Sequence, residues 1–176
     1  MTQSLSGAQS HDLTPDVAFA LETLVSVVER KSGEFKASIL LLSDDGRHLL
    51  DAAAPSLPRT YREAIHGLEI GPSAGSCGTA AYTNQRVIVS DIRKDPRWEA
   101  FRELAAAHDL AACWSQPIRG ANGRVLGTFA MYYPEPRDPN IEELHIIDAA
   151  AARAATIIEH ARTGATRTEL VAGLSS

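Results

Sequence analysis

A glycine-rich stretch from Ile70 to Ile92 constrains this chain more than any other part of the sequence. It reads IGPSAGSCGTAAYTNQRVIVSDI and has three glycines, Gly71 and Gly75 ahead of an apolar run at residues 77–82 and Gly78 within it. Glycine lets the backbone approach another segment or a ligand closely because it has no Cβ, and Ser76 is a typical N-cap for the helix that the run predicts. The stretch therefore predicts N–H groups and hydroxyls beside a buried strand, Val87–Val89. That arrangement suits a small-molecule pocket, and it suits equally a tight structural crossover.

Composition places the chain among ordinary globular domains. Its 176 residues are 44% hydrophobic and 22% charged, which favours one domain with a real core. A net charge of -5, without any Lys/Arg run, argues against nucleic-acid binding. The sequence has neither an apolar run long enough for a membrane span nor a signal peptide, which predicts a cytoplasmic protein. Two cysteines favour free thiols, and the spacing of the six histidines predicts no metal site.

The first third of the sequence predicts a helix, a β-hairpin and a second, shorter helix. Thr14 suits the N-cap of a helix and Pro15 its first position, and apolar residues recur at helical spacing until Gly33. Two apolar runs flank the turn residues Asp44-Asp45-Gly46, the pattern of a hairpin. The predicted elements are a helix at 15–31, strands at 36–43 and 47–53, and a helix at 57–66.

The middle of the sequence predicts a broken helix followed by a second hairpin. Asp95-Pro96 repeats the N-cap and first-position pair and opens a helical segment that reaches about residue 108. Strands at 112–118 and 123–133 flank Asn122-Gly123, a strong hairpin signal. The later strand is apolar on both faces, with Val125, Phe129 and Met131 on one side, so we expect it to be central and covered on both sides. Pro117 predicts a bulge or an edge position.

The last part of the domain predicts a long helix that begins with a capping box. Asn140 and Glu143 have the required spacing, and the helix predicted after them carries an apolar stripe of Leu144, Ile147, Ala151, Ala154, Ile158 and Ala161. The expected organisation is a mobile segment at 1–13, a domain at 14–162 and a helical extension or tail at 163–176. Strands cluster between terminal helices, which predicts an α+β fold with helices on one face of an antiparallel sheet.

The chain resembles a GAF domain in four stretches. These are Ile70–Ile92, Asp91–Trp98, Ala112–Ile118 and Gly123–Phe129. More narrowly, they resemble the bacterial GAF domains found in front of histidine kinases and cyclic-di-nucleotide enzymes. The resemblance covers residues 14–161 and implies about six antiparallel strands, with the first and last helices on one face. It also implies a ligand pocket on the other face, under loops and short helices.

The resemblance implies a sensory or regulatory domain and not an enzyme. A small-molecule ligand of unknown identity, or a redox state, would act on the pocket loops, and the terminal helices would pass the signal on. We expect a homodimer through those helices and, as a possible partner, a downstream kinase or cyclic-di-nucleotide output domain; no cofactor is assigned. A mostly apolar pocket uses a few polar groups to orient its ligand. The candidate ligand-binding residues are Ser76, Cys77, Thr79, Asp91, Trp98, Phe101, Arg102, His108, Cys113, Trp114, Ser115 and Phe129.

The cysteines carry the main alternative function. One branch of the GAF family, the free methionine-(R)-sulfoxide reductases, has a cysteine in a matching Gly-x-Cys-Gly-Thr-Ala context, which implies a resolving role for Cys77. The loop that holds the attacking cysteine in that branch is replaced here by residues 105–114, and Cys113 falls inside the predicted strand. A small buried hydrophobe is the competing interpretation of each cysteine. A dimerisation module without a ligand is a further alternative.

Other chemistry finds less support in the residues. Gly71–Gly75 matches G-x-S-x-G and is followed by Asp91 and His108 in the order of an α/β-hydrolase, but that fold needs a parallel sheet and the sequence predicts hairpins. Asp91 is as well suited to capping a turn. Some GAF sensors bind a bilin through a cysteine, but His108 has no adjacent cysteine. In others a histidine ligates haem, and nothing around His108 supports that role. The signature of cyclic-nucleotide-binding GAF domains is missing.

Overall fold

The structure is a computed structural model that describes residues 13–162. The mobile segment predicted at 1–13, apart from Leu13, and the tail predicted at 163–176 lie outside the described residues. The elements in chain order are α1 (Pro15–Ser32), β1 (Lys36–Leu42), β2 (His48–Ala53), α2 (Arg59–Ile65), β3 (Leu68–Glu69), α3 (Gly75–Thr83), β4 (Val87–Val89), a 3₁₀ helix (Pro96–Phe101), α4 (Arg102–Ala107), β5 (Ala112–Arg119), β6 (Val125–Tyr133) and α5 (Ile141–Arg162).

The strands of the described residues form one antiparallel sheet of six strands in the order β3-β2-β1-β6-β5-β4. Two hairpins, β1–β2 and β5–β6, supply its centre, and the long-range pairing of β1 with β6 joins them. The predicted α+β fold with an antiparallel sheet is confirmed. Helices α1 and α5 pack against each other on one face of the sheet, which we call the helix face. Helices α2, α3 and α4 cover the other, which we call the pocket face.

The ends of the two long helices follow the sequence signals. The Thr14 hydroxyl accepts a hydrogen bond from the Val17 N–H at 3.4 Å, and Gly33 ends α1 with φ of +69°. At the start of α5, the Asn140 N–H donates to a Glu143 carboxylate oxygen and the Glu143 N–H donates to Asn140 Oδ1, both at 2.8 Å. The predicted capping box is therefore present.

Strand β6 is central and buried on both faces, as its sequence predicts. Phe129 and Met131 belong to the core under α1 and α5, and Ala130 and Tyr132 belong to the core on the pocket face. One detail of the prediction is wrong: Val125 packs on the pocket face and not beside Phe129. The pairing of β5 with β6 shifts register between Ile118 and Arg119, and this irregularity reverses the alternation at the start of β6.

Pro117 lies where the loss of a backbone donor does no harm. Strand β4 pairs only with residues 113–115 of β5, so the edge of β5 at Pro117 extends beyond β4. The register shift follows immediately after Ile118. The predicted edge position of Pro117 is thus confirmed, and the bulge lies one residue beyond it.

Candidate functional site

A small cavity lies on the pocket face between α2, α3 and the 3₁₀ helix. Its volume is ≈ 20 Å³, room for about one water molecule. The residues that line it are Leu40, Tyr61, Ile65, Leu68, Ala74, Gly75, Ser76, Cys77, Trp98, Phe101 and Tyr132. None of them is charged, so the lining favours a small, neutral guest.

The glycine-rich stretch builds the wall of this cavity, although it begins its helix differently from the prediction. Gly75 is the first residue of α3 and has φ of +66°, a conformation that favours glycine. The N-cap is Ala74, so the prediction that Ser76 caps this helix is wrong. The Ala74 N–H donates to the Thr79 hydroxyl at 3.1 Å, which gives Thr79 a structural role at the helix start. The left-handed turn at Gly75 leaves Ser76 inside the helix, where its side chain faces the sheet.

Ser76 connects three elements around the cavity. Its hydroxyl donates to the Cys113 carbonyl oxygen of β5 at 2.9 Å and accepts a hydrogen bond from the Trp98 indole N–H, also at 2.9 Å. Phe101 packs edge-on against Trp98 with ring centroids 6.3 Å apart. Of the predicted ligand-binding residues, the structure therefore brings Ser76, Trp98 and Phe101 together at the cavity.

Cys77 on α3 and Cys113 on β5 belong to the same buried core cluster on the pocket face. Both cysteines are free and buried, and Cys77 also lines the cavity. A hydrogen bond from the Cys113 thiol, opposed by burial, lowers the pKa of Cys77 to about 7. Burial, with the proximity of Cys77, raises the pKa of Cys113 well above its usual range. The interaction between the two thiols therefore gives Cys77 the lower pKa of the pair.

Two buried hydroxyls on the pocket face have no hydrogen-bond partner among the described residues. They belong to Ser115 and Thr128, and both residues are 0% exposed. Strand pairing places each of them on the same face as Cys77, and both hydroxyls contribute to lowering the pKa of that thiol. An unpaired buried hydroxyl is unfavourable, so these two groups mark the region beside Cys77 as incompletely satisfied.

Two predicted ligand-binding residues lie on the wrong side of the sheet. Trp114 and Phe129 are in the core under α1 and α5, and Trp114 packs on Tyr133 with ring centroids 4.6 Å apart. Successive side chains of a strand point to opposite faces. Cys113 and Ser115 reach the pocket face, so Trp114 between them cannot. The sequence prediction placed all three in one site and ignored this alternation.

Two further predicted residues, Asp91 and Arg102, support loops outside the cavity lining. The Asp91 carboxylate accepts hydrogen bonds from the Arg93 backbone and guanidinium at 2.9–3.0 Å, which lower the pKa of Asp91. Arg102 donates to the carbonyl oxygens of Ile92 and Asp95 at 3.4 and 3.0 Å. The turn-capping interpretation of Asp91 fits this geometry.

His108 joins two helices that flank the cavity. Its Nδ1 lies 2.9 Å from the Leu104 carbonyl oxygen and its Nε2 lies 2.8 Å from the Thr60 hydroxyl. Nδ1 must therefore donate in the neutral ring, and Nε2 accepts from Thr60. The ring also contacts Tyr61 edge-on at 5.6 Å. We call the Thr60–His108 hydrogen bond the α2–α4 clasp, because it holds α2 against the end of α4.

Sequence reasoning missed several residues that line or support the site. Tyr61 and Tyr132 are buried side by side at the cavity, and the Ser38 hydroxyl lies 3.3 Å from that of Tyr132. Burial raises the pKa of both tyrosines well above the usual range. Counting every second residue from Cys113 across the paired strands would have placed Tyr132 and Thr128 on the same face. The position of Tyr61 has no comparable local signal.

The hydrolase interpretation finds no triad in this geometry. The Ser73 hydroxyl donates to the Pro96 carbonyl oxygen at 3.4 Å, Asp91 binds Arg93, and His108 binds Thr60. Across residues 13–162, no group of three or more His, Cys, Asp or Glu side chains is arranged to hold a metal ion. Nor does any helix in that range have the length and apolar content that crossing a bilayer requires.

Comparison with known proteins agrees with this architecture. The sequence model of the GAF domain matches residues 15–159. The chain belongs to the GAF domain family.

Individual relatives add detail. The chain is 41% identical over 137 residues to the methyl sulfide methyltransferase-associated sensor of Methanosarcina acetivorans, a match that covers 78% of this chain and 14% of that protein. It therefore spans about one seventh of the length of that relative. Among solved structures, the GAF domain of a phosphoenolpyruvate-protein phosphotransferase from Coxiella burnetii superposes with a TM-score of 0.72 at 20% identity, covering 87% of this chain and 88% of that one.

A reductase shares the fold as well. Free methionine-R-sulfoxide reductase from Neisseria meningitidis, in complex with its substrate, superposes with a TM-score of 0.67 at 19% identity, covering 87% of this chain and 83% of that one. At such identities the two structural matches establish the fold and leave the chemistry open.

Proposed function

We propose that this chain is a sensory domain in which a change on the pocket face is passed through the sheet to α1 and α5. The observation that carries the proposal is that neighbouring residues of β5 serve both faces. Cys113 lies beside Cys77 under α3, and the next residue, Trp114, is packed under the long helices. A displacement of β5 at the thiols must therefore move a side chain of the other core.

A specific chain of contacts leads from Trp114 to the start of α5. The Trp114 indole N–H donates to the Arg137 carbonyl oxygen at 3.3 Å, and the Arg137 guanidinium lies over the Tyr133 ring at 4.4 Å. The same guanidinium donates to Glu143, the capping-box residue of α5, at 2.7 Å. Movement of Trp114 would thus be felt at the first turn of α5.

The small size of the cavity sets a condition on this function. A guest larger than about one water requires α2 and the 3₁₀ helix to move apart. A ligand can select such an open form only through its higher affinity for it. We expect the α2–α4 clasp to break in that form, because it fixes the distance between α2 and α4.

Signalling would also need a partner. We propose a homodimer through α1 and α5, supported by the apolar side chains of Phe19 and Val27, which are 46% and 40% exposed on α1. A kinase or cyclic-di-nucleotide enzyme in the cytoplasm is the output that the bacterial GAF resemblance suggests, and the relative from Methanosarcina is itself called a sensor. A purely monomeric protein in light scattering at high concentration would contradict the dimer.

Hydrogen exchange tests whether the two faces are coupled. N-ethylmaleimide attached to Cys77 serves as a probe that fills the pocket face, and the control is the Cys77→Ser variant treated in the same way. We expect modification to change exchange in the first turns of α5 as well as in α3. A change confined to α2 and α3 would overturn the sensory proposal. Native mass spectrometry and an absorbance spectrum of fresh protein would report any bound ligand and the subunit count.

A free methionine-(R)-sulfoxide reductase is the second candidate, favoured by the adjacent thiols and the shared fold. Against it, the cavity is too small for an amino acid, and none of its lining residues is charged to hold an ammonium or a carboxylate. Thiol-dependent turnover of free methionine sulfoxide that is lost in both Cys77→Ser and Cys113→Ser would establish this activity. Equal rates in wild type and both variants would remove it.

A further inference from the structure

We propose that Cys77 and Cys113 form a redox-active dithiol in which Cys77 attacks a hydroperoxide and Cys113 closes a Cys77–Cys113 disulfide. The inference deepens the sensory function proposed above, because it names the chemistry that the pocket face would sense. It assigns Cys77 the attacking role, the reverse of the resolving role implied by the reductase resemblance. Four features of the structure lead to this assignment.

The first feature is access. Cys77 lines the cavity, whereas Cys113 is 0% exposed and is absent from the cavity lining. The cavity holds about one water molecule, so hydrogen peroxide, the smallest hydroperoxide, reaches it with the least opening of the pocket face. An oxidant that enters therefore meets the Cys77 sulfur first.

The second feature is the position of the resolving thiol. Cys113 is on the β5 segment that α3 covers, and the Ser76 hydroxyl holds the Cys113 carbonyl oxygen at 2.9 Å. This bond fixes the strand beneath the residue that precedes Cys77. Both cysteines belong to the same buried core cluster, and each shifts the pKa of the other, so the two thiols interact across the contact between α3 and β5.

The third feature is the pair of unpartnered hydroxyls. Ser115 and Thr128 are completely buried on the pocket face, and their hydroxyls have no partner at normal hydrogen-bond geometry among the described residues, yet they are near enough to Cys77 to lower its pKa. Such donors cost stability in the resting protein. They are placed where they stabilise a charged sulfur or a hydroxyl newly bonded to it, which gives them a role in this reaction.

The fourth feature is ionisation. The Cys113 thiol is the largest cause that lowers the pKa of Cys77, to about 7, and this favours the thiolate form of Cys77. Cys113 stays protonated, because burial and the neighbouring Cys77 raise its pKa. The thiolate is the nucleophile in cysteine chemistry, which agrees with the roles assigned from access.

The reaction balances with one hydroperoxide. The Cys77 thiolate attacks one peroxide oxygen: an S–O bond forms, the O–O bond breaks, and the other oxygen leaves as alcohol, or as water from hydrogen peroxide, after taking up the proton that Cys77 had released. Cys113 then attacks the Cys77 sulfur, the S–S bond forms, the S–O bond breaks, and the hydroxyl leaves as water with the Cys113 proton. Two thiols lose two electrons, and the peroxide is reduced.

Mass spectrometry of the whole chain tests the proposal. Reduced protein is exposed to limiting hydrogen peroxide at neutral pH, with dimedone present in one series, and remaining thiols are then blocked with N-ethylmaleimide. We expect both thiols to disappear together, with a Cys77–Cys113 cross-linked peptide. In Cys113→Ser, dimedone should be found on Cys77. In Cys77→Ser, oxidation of Cys113 should be slower by about tenfold or more.

Two results would overturn the inference. One is dimedone on Cys113 before Cys77 in the wild-type protein, a measurement that requires no variant to fold. The other is the absence of the disulfide in native protein while both thiols oxidise in the urea-unfolded chain. The redox proposal and the sensory proposal can fail separately. If the Cys77–Cys113 disulfide forms but hydrogen exchange in α5 does not change, the redox-active dithiol is supported and the signalling proposal is contradicted.

Discussion

The two faces of the central sheet are almost equally buried, yet they differ in chemistry. On β6, Phe129 and Met131 fill the helix face, while the neighbouring Thr128 puts a hydroxyl without a partner on the pocket face. Polar groups on the helix face are satisfied, as in the hydrogen bond from the Tyr133 hydroxyl to Glu143 at 2.9 Å. The pocket face instead keeps thiols, unpaired hydroxyls and a cavity. These groups distinguish the pocket face from the helix face, where apolar packing and satisfied polar groups predominate.

The substitution expected to change stability most lies on the helix face. Trp114→Ala should lower the free energy of unfolding by about 3–5 kcal/mol, because it empties a fully buried site between Tyr133 and Arg137. Urea unfolding followed by circular dichroism measures the change. Trp114→Phe is the control: it keeps one ring in place and loses the second ring of the indole with its bond to the Arg137 carbonyl oxygen, so its cost should be smaller, about 1–2 kcal/mol. Equal losses in the two variants would contradict the packing role.

A smaller loss is expected at the polar end of the same face. Glu143→Ala removes the side-chain acceptor of the Asn140 N–H from the capping box and leaves the Tyr133 hydroxyl and Arg137 without this acceptor, so the free energy of unfolding should fall by about 2–3 kcal/mol. Glu142→Ala is the matched control, because Glu142 is exposed in the same first turn; its effect should stay within about 0.5 kcal/mol. If the two variants are equally stable, the buried network at Glu143 contributes little.

The helix face was also the more predictable of the two. Thr14, Gly33 and the Asn140–Glu143 pair are local signals, and each acts within one turn of its own helix. The central position of β6 followed from an apolar run without alternation. Such features depend on a few neighbouring residues, so the sequence alone predicts them.

The pocket face depends on contacts between distant segments, which sequence patterns do not contain. The partnership of Cys77 with Cys113 spans 36 residues (113 − 77 = 36) and requires the placement of α3 over β5. Tyr61 reaches the cavity from α2, and no local spacing indicates that. Trp114 was the avoidable error, because the alternation along a strand already excludes it from the side that Cys113 occupies.

On the pocket face, one substitution should stabilise the protein. Thr128→Val replaces an unpaired buried hydroxyl with a methyl group of similar shape, so the free energy of unfolding should rise by about 1 kcal/mol. The same change removes a group that lowers the pKa of Cys77, so labelling of that thiol at neutral pH should slow. Thr156→Val, on the exposed side of α5, serves as the control and should change neither quantity. Loss of stability in Thr128→Val would mean that this hydroxyl is satisfied in solution.

The smallest expected effect tests whether the pocket face opens at the α2–α4 clasp. Thr60→Val removes the donor to His108 Nε2 and should lower stability by only about 0.5–1 kcal/mol, because the bond is exposed. If the clasp must break before the pocket face opens, Thr60→Val makes opening easier by the same free energy. N-ethylmaleimide should then label Cys77 about two- to fivefold faster. Thr156→Val again provides the comparison. An unchanged labelling rate in Thr60→Val would show that the cavity opens elsewhere. The remaining route is the gap between α3 and the 3₁₀ helix, which the hydrogen bond from Trp98 to Ser76 closes.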